Sequence, residues 1–356
     1  MGIPIIDSHI HLWPVSAANP DGHAWMVAVP QLAKQHILSD YRKAARQDLP
    51  AGYSVEGVVY VETDRQYTSD TSRPIEQWAK GPLDEIRFLR SIVEGDARET
   101  HADLLKGIIP WAPLDQGPEV FEQWIDLAKR TAGEQTWSRI KGFRFLLQAI
   151  TERAKFEQLV LSQAFTDTLK AFSKEDRNFV FDVGIDAHSG GLWQLEAWVK
   201  VLEQVNGRGQ GVVKFVMNHM CKPDMTESHT PGARGSPQFM SWAESIRAFA
   251  SYPRVYMKLS GAFSELSNGV VDTVSAEEIA KRIKPWTDVV FEAFGPERIM
   301  FGSDWPVSNV RGPAGEDSWT IWKDVVDVIV QQRDLSDDAQ HRIWTGTARE
   351  AYALQL

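Results

Sequence analysis

Cysteine is nearly absent: Cys221 is the only one in 356 residues. An intrachain disulfide is therefore impossible, which excludes a small disulfide scaffold and favours a reducing compartment. Long apolar runs are missing too. None reaches the roughly 18 residues of a membrane span, and the first dozen residues hold no cationic stretch followed by an apolar segment of signal-peptide type. The expectation is a cytoplasmic chain with no membrane partner. Positive charge is outweighed: 38 Lys and Arg against 48 Asp and Glu give a formal net charge of −10. Without a long basic block this argues against a nucleic-acid partner. It says little about small substrates, because local fields can oppose net charge. Internal repeats and low-complexity linkers are lacking as well, so residues 1–356 read as a single domain.

What is present is a large apolar fraction, 43%, ample for a sizeable core. Fourteen tryptophans are unusual. Some must be core, but Trp13, Trp111, Trp193 and Trp305 fall at or just after strand candidates, where a pocket could use them. Eight short runs read as buried strands: 4–12, 56–63, 105–112, 140–147, 178–185, 213–220, 254–261 and 298–305. Each is almost continuously apolar, the pattern of strands covered on both faces of a parallel sheet. They lie roughly 35 to 50 residues apart, the room a crossover helix needs. Helical periodicity fills the gaps over 82–94, 118–132, 190–205, 236–252, 276–294 (with Pro285 as a kink or break) and 317–332. Eight alternating units predict an α/β fold, a (β/α)8 TIM barrel. An open doubly wound sheet is the alternative. Two connections are long, 14–40 and 221–236, a length usually found in functional or partly helical loops.

In such a barrel chemistry collects at the C-terminal ends of the strands. The polar residues there are His9 and His11; Glu62, Asp64 and Arg65; Arg144; Asp182, Asp186 and His188; Asn218 and His219; Lys258 and Ser260; Ser303 and Asp304. Strand side chains alternate, so the histidines of "DSHIHLW" share one face, with Asp7 one layer below. Two imidazoles that close can hold a divalent cation or hydrogen-bond an oxyanion; they can also be ordinary buried histidines. First and last strands adjoin when a barrel closes, which would set Asp304 of "GSDWP" beside them. A carboxylate at an apolar strand end must be paired, ligating or catalytic, because burying a lone charge is costly. His219 ends its strand beside Asn218. Arg144 could pair with Glu62 or Asp182, or reach a substrate. Lys258 reads as half of a structural ion pair. His188, in "DAHSGG", could equally belong to a helix start.

The chain resembles the amidohydrolase superfamily, within the amidohydrolase-related group that includes sugar-lactone hydrolases. The matching pieces are "DSHIHLW", "KGFRFLLQ", "FDVGI", "NHMCKP", "MKLSGAFSEL", "FGSDWP" and the tail "TGTAREAYAL". The resemblance implies hydrolysis of a lactone, amide or related bond, with His9, His11, His219 and Asp304 carrying the reaction. The chain departs from the group's pattern at Asn218, where an aspartate is common, and on the fifth strand, which ends in Asp182 instead of histidine. No lysine stands ready on the fourth strand to bridge two metals. The resemblance leaves two arrangements: one zinc held by His9, His11, His188 and Asp304, or a metal-free site. Arg144, His188, Trp13, Trp111 and Trp305 would orient the substrate. The group points to a sugar-acid lactone of the rhamnono- or fucono-lactone type. The runner-up is a zinc-dependent decarboxylase acting on an aromatic or muconate acid. A catalytically silent binding barrel would have no need of His9, His11 and Asp304 together.

Overall fold

The computed structural model describes residues 2–45, 52–68, 70–95, 101–174, 177–207, 212–226, 235–266, 275–312 and 315–355. Among them are eight strands: β1 (Ile3–Ile10), β2 (Tyr53–Val61), β3 (Leu105–Ile109), β4 (Gly142–Arg144), β5 (Val180–Val183), β6 (Lys214–Met217), β7 (Val255–Leu259) and β8 (Ile299–Phe301). β1 to β3 form one parallel ladder and β4 to β8 another, each strand beside its neighbours in sequence. Isolated parallel bridges join them, Ile108 to Ile140 and Trp111 to Arg144 at one seam and Ile10 to Trp305 at the other. Strand order thus matches chain order throughout, as in a (β/α)8 barrel and unlike an open doubly wound sheet, where it reverses.

The ladders are shorter than the apolar runs. β4 and β8 span only three residues each, and the rest of each run continues as buried strand-end segment. Helices lie where the periodicity placed them: Lys80–Val93, Pro118–Trp137, Leu192–Asn206, Pro237–Ala250, Ala276–Phe294 and Ser318–Gln331. The helix 276–294 runs on through Pro285, since the fixed φ of proline is itself helical. No helix among the described residues is long and apolar enough to cross a membrane. The 14–40 connection holds three short 3-10 turns and the start of helix Leu38–Ala44. It builds a small apolar cluster of its own from Trp13, Ala17, Met26 and Leu32. Of the 221–236 connection, residues 227–234 lie outside those described.

The core has two apolar layers. Ile6, Val59, Val61, Ile109, Val180, Val216 and Met300 pack together inside the strands, with Ala348, Ala351, Tyr352 and Leu354 of the C-terminal segment against them. The much larger cluster between strands and helices includes Ile5 and Ile10.

Asp7 corrects the alternation argument. Its carboxylate does not share the histidine face; it accepts from Tyr41 Oη at 3.0 Å and Trp319 Nε1 at 2.9 Å, both in the helix layer. The β1–β2 register shifts between Asp7 and Ile10, and such an irregularity inverts the facing of the residues beyond it. Asp7 is a fully buried anchor that also accepts from the Ser303 amide at 2.8 Å. Tyr41→Phe, which removes one donor from a buried carboxylate, is expected to lower stability by about 2 kcal/mol; the shift of the urea midpoint measures it.

Candidate active site

The ends of β1 and β8 are joined by two backbone bonds. The Asp304 amide donates to His9 O at 2.9 Å and the His11 amide to Trp305 O at 2.8 Å. These set the Asp304 carboxylate among three imidazoles. Its Oδ1 lies 3.6 Å from His9 Nε2, 3.4 Å from His11 Nε2 and 3.7 Å from His219 Nε2. The two β1 histidines meet Nε2 to Nε2 at 3.2 Å. The Nδ1 atoms are anchored outward. His11 donates to the Val61 carbonyl at 2.9 Å, His219 pairs with Ser260 Oγ at 2.8 Å, and Lys258 Nζ donates to His9 at 3.1 Å.

His219 sits where the backbone departs from the ordinary. Residues His219, Met220, Cys221 and Lys222 all have positive φ, between 47° and 60°, and Asp304 has 60°. Non-glycine residues adopt this region at roughly 1–2 kcal/mol each. The turn is held by Trp242 Nε1 donating to Met220 O at 2.9 Å and by an ion pair of Lys222 with Glu265. Glycine is required opposite: at Gly261 φ is +65° and a Cβ would lie 2.6 Å from the His219 ring.

Electrostatically the site separates its charges. Burial lowers the His219 pKa to about 4, although Asp304 opposes the shift. Burial, reinforced by Lys258, holds His9 well below its ordinary range. Burial alone would raise Asp304, but His219, His11 and Lys222 more than offset it, and the carboxyl lies below its usual range. Lys222 is raised, because Glu265 and Asp186 overcome its burial. An ionised carboxylate thus faces the neutral imidazoles of His9 and His219, with a lysine cation nearby.

These groups open on a cavity of about 380 Å³. His11, His219, Asp304 and Lys222 line it, together with Asp64, Arg144 and Gln148. Trp13, Trp25, Leu32, Val307 and Val310 form its apolar wall. His9 is fully buried and is not among the lining residues. Arg144 is gripped by Glu62, with Nε to Oε1 at 2.6 Å and Nη2 to the Glu62 carbonyl at 2.8 Å. Asp64 is pushed up to about 7 by its burial and by Glu62, against Arg144.

Of the residues singled out from sequence, His9, His11, His219 and Asp304 come together, and Arg144 and Trp13 line the cavity. Four do not join them. Trp193 packs against Phe156. Trp111 is packed in the core against Tyr67, Trp78 and Trp124. Trp305, only 2% exposed, packs against His36 and Tyr41. His188 faces a different cavity; its Nδ1 lies 2.8 Å from Glu265 and its Nε2 3.7 Å from Asp224. The glycine-rich turn that begins at Asp186 carries it away from β5's axis, so it does not complete a ligand set with Asp304. Lys222 and Trp25 escape a reading of strand ends, since both lie in connections beyond them, although the lysine belongs to the "NHMCKP" segment.

The donor set suits a divalent cation. His9, His219 and Asp304 each offer one ligand atom, all within 4.8 Å of one another, and two imidazoles with a carboxylate are zinc ligands by type.

A barrel with an H-x-H pair at the end of β1 and an aspartate after β8 defines a class of hydrolytic enzymes, and similarity places the chain in it. Residues 181–354 match the amidohydrolase family. The chain is 31% identical over 360 residues to the L-rhamnono-gamma-lactonase of Scheffersomyces stipitis, covering 98% of both. It is 26% identical over 356 residues to an L-fucono-1,5-lactonase of Burkholderia multivorans, covering 99% of this chain and 97% of that one. A crystal structure of a zinc-bound amidohydrolase from Burkholderia multivorans superposes with a TM-score of 0.70 at 22% identity, over 99% of each chain. The chain belongs to the amidohydrolase family.

The lowered histidine pKa has a consequence for stability. His219 takes up its proton near pH 6.5 when unfolded but only near 4 when folded. Between these values the unfolded chain binds more protons, so stability rises with pH through that window and the contribution is flat above it. His23 and His36, also lowered to about 4, act in the same direction. Asp64, pushed up to about 7, acts in the opposite direction, so the measurement is a difference: between pH 4 and 6.5 the urea midpoint of His219→Gln should rise less with pH than that of the unaltered chain.

Proposed function

We propose that this chain opens a sugar-acid lactone of the rhamnono- or fucono-lactone type to the free aldonate. The observation that carries the reading is the convergence of His11, His219 and Asp304 on one cavity, in a chain alike over 98% of its length to an L-rhamnono-gamma-lactonase. Asp304, ionised and within reach of the same space as a bound carbonyl, takes the proton from the attacking water and returns it to the leaving alkoxide. General base catalysis of this kind contributes roughly 10²–10⁴-fold. His219 and Lys222 lie on the side where the carbonyl oxygen gains charge, and each oxyanion donor is worth about 2.7–4 kcal/mol. His11 lines the cavity beside them, and His9, fully buried, packs against His11. A divalent cation held by His9, His219 and Asp304 would supply Lewis-acid polarisation of that carbonyl.

The remaining walls suit a hydroxylated ring. Arg144, Asp64 and Gln148 offer polar groups. The Gln148 Oε1 is buried without a protein partner, an acceptor for a ring hydroxyl. Trp13 and Trp25 add apolar ring surface to the lining. Proton release from L-rhamnono- and L-fucono-lactones tests the reading. Asp304→Asn should lower kcat by roughly 10² or more through loss of the base. A near-normal rate in that variant would remove Asp304 from the mechanism, and failure of every aldonolactone would favour decarboxylation of an aromatic or muconate acid.

A further inference from the structure

Beneath the imidazoles lies a buried charged group that the hydrolytic scheme does not use. Lys258 and Asp182 are both 0% exposed. Lys258 Nζ donates to Asp182 Oδ1 at 2.8 Å, and Tyr352 Oη donates to Asp182 Oδ2 at 2.5 Å. On its other side the same Nζ lies 3.1 Å from His9 Nδ1. An ammonium has three donors and no acceptor, so in this contact the proton belongs to lysine and Nδ1 of His9 must present its lone pair. The ring proton of neutral His9 is then on Nε2. That atom lies 3.2 Å from His11 Nε2. His11 in turn spends its Nδ1 proton on the Val61 carbonyl at 2.9 Å, which can only accept. The contact between the two Nε2 atoms holds one proton, and the anchors at both Nδ1 atoms assign it to His9.

We infer that Lys258 is a positioning residue that places the shared proton of the His9–His11 pair on His9 Nε2, leaving His11 Nε2 as the acceptor. The chain of donors runs in one direction: Lys258 to His9, His9 to His11, His11 to Val61. This has two consequences. The H-x-H pair cannot give both Nε2 lone pairs to a cation until the His9 proton leaves, so Lys258 weakens cation binding at a site whose ligand types favour it. His11, with its Nε2 already accepting, has no donor to offer there, and polarisation of a carbonyl falls to His219 and Lys222. The second consequence rests on the lactonase reading; the first does not.

The test uses nitrogen NMR of the full chain with ¹⁵N-labelled histidine. Only nine histidines are present, and the His9 signals are assigned by their loss in His9→Gln. Long-range proton–nitrogen correlations are expected to show His9 protonated on Nε2 and His11 on Nδ1. His9 protonated on Nδ1 would overturn the inference whatever the activity on lactones. Lys258→Gln substitutes an amide whose oxygen can accept from Nδ1 while its nitrogen serves Asp182. His9 should then move its proton to Nδ1. Zinc alone, titrated against a chromophoric chelator, should bind at least about tenfold more tightly, the scale on which groups behind metal-ligating histidines act. Unchanged tautomer or unchanged zinc affinity in a folded Lys258→Gln protein would also overturn it. Where that variant does not fold, the wild-type spectra decide by themselves.

Discussion

The site depends on a seam. β1 and β8 lie far apart in the chain, and the bridge between Ile10 and Trp305 ties their ends. Its backbone bonds run from the Asp304 amide to His9 O and from the His11 amide to Trp305 O. They involve the residues whose side chains meet in the cavity. Geometry at the seam and geometry at the site are therefore one constraint, and it cannot relax without separating Asp304 from the imidazoles. The lower part of the same seam is clamped by Asp7 on the Ser303 amide and by Ser8 Oγ on the Phe301 carbonyl at 2.5 Å. Asp7 in turn draws in Tyr41 and Trp319, so the helix layer holds the seam from outside.

Against this stands strain. Four consecutive left-handed residues from His219 to Lys222 represent about 4–8 kcal/mol at roughly 1–2 kcal/mol each. Burial of His9, Lys258, Asp182, Arg144 and Glu62 adds desolvation that ion pairing seldom repays in full. The apolar layers supply what offsets it. The interior cluster closes the barrel below the charged groups, with Tyr352 belonging to that cluster and also donating to Asp182. Stability is concentrated in the lower barrel and function in the upper, as strain confined to a working site requires.

The eight strands, the order of the helices and the meeting of His9, His11 and Asp304 were legible because apolar periodicity and strand-end position are local signals. Arg144's choice of Glu62 over Asp182, and Lys258's pairing, were legible as a need for a partner but not as an identity, since the partner is fixed by which strand ends adjoin. Asp7 misled because alternation assumes an unbroken strand, and a one-residue register shift inverts it. Trp111 and Trp305 misled for another reason: a tryptophan just past a strand end can turn into the cavity or back into the helix layer, and its position in sequence is the same in both. His188 had the right residue type after the right strand, but the turn starting at Asp186 faces the neighbouring cavity. Lys222 was invisible to a survey of strand ends because its left-handed turn brings it back over a site that an ordinary backbone would leave.

The state of charge bears on what bond such a site can break. A carboxylate held below its usual range is ionised at neutral pH but is a weaker base than one tuned upward, and general base catalysis falls as base strength falls. Neutral imidazoles polarise a carbonyl less than cations would. Together these give the chain's own groups moderate power, sufficient by themselves for an electrophile that needs limited help and a leaving group that departs readily. A lactone meets both conditions. What the cavity adds is orientation: Asp64, Arg144 and Gln148 supply polar groups, Trp13 and Trp25 apolar surface, and Asp304 a fixed carboxylate. Holding a ring so that one carbonyl faces one water converts a slow encounter into a unimolecular step, a gain that depends on geometry and not on the strength of the base.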